Sequence, residues 1–292
     1  MTEKSPSNTN AIGSNPWFRL MRFDRPVGIW LLLWPTWWAL FMAAGGWPSL
    51  KNLAIFTLGV VVMRAAGCVI NDYADRKIDP LVARTRNRPI AAGEIEPRHA
   101  LLLFAGLMAI ALILVLLTNP LTVLLAFFGA LMAGTYPFFK RFTHLPQLVL
   151  GMAFGWSVPM AFAAETGQLP EQAWWLFSIT LIWVLIYDTQ YAMADREDDL
   201  KAGVKSTAIL FGRFDIPIIA ALMGLMSALL VLFGLRFIPE PAWFTGVALA
   251  FLMYQRQLWS IRTRDPQACF EAFLNNVWVG LVIYLGLFLS LL

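Results

Sequence analysis

Asn71-Asp72-Tyr73-Ala74-Asp75-Arg76-Lys77-Ile78-Asp79 closes a strongly apolar stretch, residues 53–72. A helix needs about 20 apolar residues to cross the hydrocarbon core of a bilayer. The stretch therefore reads as a membrane helix that ends in an acidic cluster. A second copy, Tyr191-Ala192-Met193-Ala194-Asp195-Arg196-Glu197-Asp198-Asp199, closes another apolar stretch, residues 173–192. Aligned on Ala-Asp-Arg, the copies lie 120 positions apart and share Asp75/Asp195, Arg76/Arg196 and Asp79/Asp199. Asn71, Asp75 and Asp79 step by four residues and share one face of a continuous helix. Asp195 and Asp199 repeat the step, and Asp188 and Tyr191 extend it backwards. Carboxylates stacked this way repel each other unless a cation sits between them.

The rest of the chain agrees with a membrane reading. Of 292 residues, 59% are hydrophobic and 14% charged. Nine apolar runs are expected to span: 26–45, 53–72, 99–118, 121–138, 145–163, 173–192, 215–236, 241–259 and 271–291. Backbone groups in lipid must be satisfied within the segment, so the expected fold is an all-α integral membrane protein, one bundle of about nine helices. Residues 1–16, polar and rich in Ser and Asn, are expected to form a disordered tail, and 17–292 a single transmembrane domain. With the N-terminus cytoplasmic, 19 of the 22 Lys and Arg fall on the inner side, as the positive-inside rule requires. The C-terminus then lies outside, and both acidic clusters face the cytoplasm. The basic pI of about 9.2 follows from this orientation and does not imply a nucleic-acid partner. Cys68 and Cys269 have no metal-ligand spacing and read as packing residues.

An oxygen-only ligand set without Cys or His suits Mg²⁺ rather than zinc. Mg²⁺ commonly shares its shell with substrate phosphates, so two facing carboxylate groups point to a diphosphate clamp. Basic segments lie on the same side: Arg84-Thr85-Arg86-Asn87-Arg88-Pro89, Tyr136-Pro137-Phe138-Phe139-Lys140-Arg141, and Arg22-Phe23-Asp24-Arg25-Pro26. Guanidinium forks match phosphate oxygens, although each arginine alone equally reads as an orientation signal or interfacial anchor. Arg64 stands seven residues before Asn71 on the same helix face and calls for a polar cavity. The longest non-helical stretches are expected at about 73–98 and 193–214, which puts the working face inside. Ion-coupled transport is the non-enzyme alternative, but outside Arg64 and Asp188 the spans carry little charge. A phosphotransferase of the CDP-alcohol type would carry Asp-Gly-x-x-Ala-Arg, which is absent.

The two acidic motifs, with Arg-Thr-x-x-Arg-Pro at 84–89, resemble the UbiA family of intramembrane aromatic prenyltransferases. Arg25-Pro26-x-Gly28 and Leu31-Leu32-Leu33-Trp34-Pro35-Thr36 are similar to the branch acting on 4-hydroxybenzoate. The resemblance implies Mg²⁺-dependent transfer of a polyprenyl group from its diphosphate to C3 of 4-hydroxybenzoate, a step towards ubiquinone at the bacterial inner membrane. Other members accept protohaem or a naphthoate. Asn71, Asp75, Asp79, Asp195 and Asp199 would hold Mg²⁺ and the diphosphate. Arg76, Arg86, Arg88, Lys140 and Arg141 would neutralise the leaving group. Arg25 and Arg64 are candidates for the benzoate carboxylate, and Tyr136 and Tyr191 for further substrate contacts.

Overall fold

The computed structural model describes residues 15–81, 85–139 and 142–292, which form helices joined by turns, with no strand among the described residues. Most of the polar tail therefore lies outside the description. A short helix α1 (Pro16–Leu20) leads into α2 (Val27–Ala44) and α3 (Leu50–Asp75). Next come α4 (Pro97–Leu116) and α5 (Pro120–Phe139), then α6 (Pro146–Gly155), α7 (Ser157–Thr166) and α8 (Glu171–Ala194). Short α9 (Arg196–Ala202) and α10 (Thr207–Phe211) precede α11 (Asp215–Phe237), α12 (Pro241–Ile261) and α13 (Pro266–Ser290). The stretch expected to be non-helical at 193–214 thus holds two short helices.

Among the described residues, seven units are long and apolar enough to cross a membrane: α2, α3, α4, the α6–α7 pair, α8, the run from α10 through α11, and α13. Pro120–Thr135 of α5 is a shorter apolar helix, and α12 fills the remaining expected stretch. The local signals are conventional ones. Pro97, Pro146, Pro241 and Pro266 open their helices, where the missing N–H costs nothing. Ser49 caps α3 and Asp265 caps α13 through side-chain oxygens. Gly45 closes α2 with φ +62°, a conformation that favours glycine. The expected single span at 145–163 is broken at Trp156. Pro159 explains the break, because its ring crowds the Gly155 carbonyl and offers it no N–H.

The core lies among α2, α8, α11, α12 and α13, where Trp38, Trp183, Phe233 and Trp243 are buried. Gly246 of α12 and Gly286 of α13 bring those helices into close backbone contact, a packing that small residues permit in membranes. By contrast, α4 buries only Ala100. A chain of buried amides crosses the core. Trp183 Nε1 donates to Asn276 Oδ1 (3.1 Å), Asn276 Nδ2 to Gln190 Oε1 (2.8 Å), and Gln190 Nε2 to Gln257 Oε1 (2.9 Å). Gln257 Nε2 continues to Asn275 Oδ1 at 2.9 Å. This ladder fixes α8 against α12 and α13, directly beside Asp188 and Tyr191. Asn276→Leu removes its central member and strands the Trp183 and Gln190 groups. We expect a loss of about 1–2 kcal/mol, read as a lower thermal midpoint of the detergent-solubilised protein. An unchanged midpoint would show that the ladder does not hold these helices.

Candidate active site

The first motif does not lie on one continuous helix. Helix α3 ends at Asp75, where the Arg76 N–H turns to Tyr73 O and the Ile78 N–H to Asp75 O. Asp79 opens a separate 3-10 turn, Asp79–Leu81. Pro80 accounts for this, since it offers no N–H to the Arg76 carbonyl and the α-helical ladder cannot run on through Asp79. The second motif breaks at its first aspartate. Asp195, at φ −96° and ψ 2°, ends α8, and its carbonyl accepts the Asp199 N–H at 2.9 Å to start α9. The first turn of α9 carries Glu197, Asp198 and Asp199, which the helix dipole favours. The four-residue steps therefore bring carboxylates together across bends, not along one face.

Asp72, which the four-residue pattern does not include, is the electrostatic centre of the first motif. It is 1% exposed, and Asp75 and Asp79 are 3% and 4%. Arg22 Nη2 donates to both Asp72 oxygens at 3.1 Å, and Arg88 Nη1 lies 3.1 Å from Asp72 Oδ1. Arg88 Nη1 also donates to Asp79, at 3.0 and 3.1 Å. Burial pushes the Asp79 carboxyl above the usual carboxylate range; Arg88 pulls it down, and Asp72 and Asp75 push it further up. Arg76 folds back, its guanidinium 4.2 Å from the Tyr73 ring centre and donating to Tyr73 O.

The second motif has a parallel centre. Asp215, fully buried, accepts from Arg196, from Arg264 Nε (3.1 Å) and Nη2 (2.8 Å), and from the Ile216 N–H (2.7 Å). Arg196, the motif's own arginine, is thus turned to α11. Sequence reading missed this cluster, since Asp215 and Arg264 lie 19 and 68 residues beyond Arg196.

Both halves open on one cavity of about 870 Å³. Its polar end includes Arg22, Arg25, Arg64, Asn71, Asp72, Arg88, Asp188 and Tyr191. Arg64 lies within electrostatic reach of Asp188, as do Asp195 and Asp199, and Tyr191 lies within reach of Arg88. Arg64 packs against the backbone of Gly28, where any Cβ would collide with the guanidinium. Away from this end the lining turns apolar, with Leu112, Val115, Ala126, Phe127 and Ala130. Asp75, Asp79, Asp195 and Asp199 are not part of its lining, and Arg86 is exposed. Arg25, at the rim, is exposed and paired with Asp24. Arg84, Lys140, Arg141 and the side chain of Tyr136 lie outside the described residues.

Among the described residues, no group of three or more Asp, Glu, His or Cys side chains is positioned to hold a metal ion by itself. Carboxylate and amide oxygens without Cys or His suit Mg²⁺, which keeps waters and shares its shell with phosphates. Asn71, Asp75 and Asp79 on one side, with Asp195 and Asp199 on the other, are the candidate donors of that kind.

Residues 32–288 match the model of the UbiA prenyltransferase family. The chain is 57% identical over 272 residues to a 4-hydroxybenzoate octaprenyltransferase of Azotobacter vinelandii, covering 93% of this chain and 92% of the relative. Its likeness to the corresponding enzyme of Pseudomonas syringae pv. syringae is 51% over 280 residues, 95% of each. Among solved structures, the apo form of a UbiA homolog from Aeropyrum pernix superposes with a TM-score of 0.79 at 25% identity, covering 90% of this chain and 98% of that one. A UbiA homolog from Archaeoglobus fulgidus, bound to GPP and Mg²⁺, has the same fold, with a TM-score of 0.76 at 19% identity and coverage of 95% and 99%.

Asp215→Asn places a neutral amide between two guanidinium groups. Breaking a buried ion cluster on one side costs about 3 kcal/mol, and the variant is expected to melt well below the wild type in detergent. A midpoint equal to wild type would remove the cluster from the forces that hold α8 to α11.

Proposed function

From the premise that the chain belongs to the UbiA prenyltransferase family, we propose that it transfers a polyprenyl group from polyprenyl diphosphate to C3 of 4-hydroxybenzoate. The observation that carries this reading is the divided cavity, with arginines and an acidic rear at one end and an apolar channel leading away. A substrate with a diphosphate head and a hydrocarbon tail has that division of chemistry. The curated relatives, more than half identical over nearly the whole chain, carry the name of this reaction. We place the product in ubiquinone biosynthesis and the chain in the bacterial inner membrane. In this reading α5 and α12 also span, giving nine crossings, with the N-terminus and active site cytoplasmic and the C-terminus outside.

Asn71, Asp75, Asp79, Asp195 and Asp199 are the residues that would hold Mg²⁺. When bound, it supplies positive charge to the diphosphate as the allylic C–O bond breaks. Arg88, with Arg76, Arg86, Lys140 and Arg141, balances the charge left on the diphosphate. Arg64, held over Gly28, meets the benzoate carboxylate, with Arg25 as the alternative at the rim. Tyr191 and Tyr136 are the candidates for the remaining substrate contacts. The apolar lining keeps water from the allylic cation, and the ring carbon ortho to the phenol attacks it. The ring proton leaves to a carboxylate of the second motif or to the released diphosphate.

Membranes supplied with labelled 4-hydroxybenzoate and polyprenyl diphosphate are expected to form a lipid-extractable product with Mg²⁺ and none with EDTA. Product formed equally in EDTA would refute the metal reading; no product in either would refute the acceptor. Asp75→Asn and Asp195→Asn are each expected to lower kcat by about 10²–10³, the range for one charge-stabilising group. Gly28→Ala displaces Arg64, and we expect the KM for the aromatic acceptor to rise about tenfold, the loss of one charge-assisted bond. An acceptor KM equal to wild type would remove Arg64 from its binding.

A further inference from the structure

Two arginines stack on exposed aromatic rings where α11 begins and α12 ends. The Arg262 guanidinium is 3.6 Å from the Trp259 ring centre, and that of Arg213 is 4.9 Å from the Phe214 ring centre. Trp259 is 70% exposed and Phe214 54%. The two pairs are fastened to one another. Arg264, left-handed at φ +57°, turns the chain after α12, and its Nη2 donates to Arg213 O at 3.0 Å and to Asp215 Oδ1 at 2.8 Å. Arg262 stands two residues before the donor of that bond and Arg213 accepts it, so both stacked guanidinium groups belong to one corner of the bundle. None of these residues lines the cavity.

The exposed side of α12 shows which way the corner looks. Leu249, Leu252, Arg256 and Trp259 step by three or four residues, share one side of the helix and are all exposed. Leucines there suit lipid tails, whereas an arginine on the same side has to stand at headgroup depth. A matching exposed side runs from Phe214 along α11 through Ala221, Leu225 and Leu232. Among the described residues, Arg213, Arg256 and Arg262 make no ion pair. The neighbouring carboxylates are engaged: Asp215 by Arg196 and Arg264, and Asp265 as the cap of α13, accepting the Ala268 N–H at 2.8 Å. The positive charge of the corner is therefore uncompensated.

A guanidinium stacked on a ring keeps its N–H edge free, and such edges match phosphate oxygens. The rings also limit the motion of the arginines, so less freedom is lost on binding. A soluble anion has no use for apolar neighbours. Here the cations stand at the head of two apolar helix sides, which is how a phospholipid is divided. We propose that Arg213, Phe214, Arg256, Trp259 and Arg262 form a binding site for one anionic phospholipid, with its headgroup phosphate on the arginines and its acyl chains along the exposed sides of α11 and α12. Bound there, the lipid braces the turn whose Arg264 grips Asp215, and through Asp215 the Arg196 end of the second motif. The site needs only that the chain lies in a membrane and is independent of the reaction proposed above.

The full chain is reconstituted in phosphatidylcholine vesicles in which part of the lipid is brominated phosphatidylglycerol or, in parallel, brominated phosphatidylcholine. Bromine quenches nearby indoles, and the emission that Trp259→Phe removes from each protein reports this corner. Half-quenching is expected at a mole fraction of the anionic lipid about tenfold below that of the neutral one, and Arg213→Gln and Arg262→Gln are each expected to raise it about fivefold, the contribution of one arginine at an anionic surface. Equal quenching by the two lipids overturns the proposal. So does an equal loss in the Lys51→Gln/Arg98→Gln variant, which removes charge elsewhere, because general attraction would then suffice. Inorganic phosphate that displaces the brominated lipid at constant ionic strength would make the site one for a soluble anion and overturn the lipid. If the glutamine variants do not fold, Arg262→Lys decides, since it keeps the charge and loses the planar fork. Quenching equal to wild type would then overturn the site.

Discussion

Two aspartates with almost no exposure, Asp72 and Asp215, hold the working end of this protein together. Each is gripped by two arginines from other parts of the chain: Arg22 and Arg88 for the first, Arg196 and Arg264 for the second. In each pair one arginine has a left-handed backbone, Arg22 at φ +59° and Arg264 at +57°. That conformation costs an L-residue roughly 1–2 kcal/mol. It persists because the alternative, a carboxylate buried without a partner, is worse. The paired clusters are where the parallel between the two acidic motifs becomes structural. Each motif end is fastened to a distant helix or loop by the same kind of bond.

The fastening matters because both motifs sit where a helix stops. A carboxylate on a continuous membrane helix points where the helix face points. At a break it can turn towards its counterpart. Pro80 ends the first run, and the bridge conformation of Asp195 ends the second. Such ends are soft unless held, and Asp72 lies within seven residues of the candidate metal ligands of its motif and Arg196 within three of those of the other. The ion clusters and the amide ladder through Gln190 and Asn276 thus secure the two ends of one problem. The clusters set the loops, and the ladder sets the depth of α8.

Much of this was legible in the residues. Apolar length located the helices, and the repeated Ala-Asp-Arg with its four-residue steps located the acidic ends. Arg64 inside an apolar run called for a polar cavity and lines one. What could not be read was pairing at a distance. Arg22 looks like an interfacial anchor until Asp72, 50 residues on, is seen to accept its bonds. Arg196 looks like part of the catalytic motif until Asp215 takes it. Gln190, Gln257 and Asn276 stand out in the sequence as polar residues in apolar runs. Their connection into one ladder depends on the packing of three helices. The breaks carried a weaker signal: Pro80 and Pro159 mark the places, but not the direction the chain turns.

The division of labour between the motif's own aspartates follows from what each one touches. A carboxylate that both accepts two guanidinium groups and coordinates a cation would have to trade one for the other, and the loops would loosen at the moment of binding. Asp72 is held by Arg22 and Arg88, and Asp79 by Arg88, so in the proposed metal reading Asp79 has to release a guanidinium to meet a cation. Arg88 touches both groups, through Asp72 and Asp79. A change of charge at Asp79 therefore reaches Asp72 through Arg88 as well as directly, and through Arg88 and Arg22 the lining of the cavity.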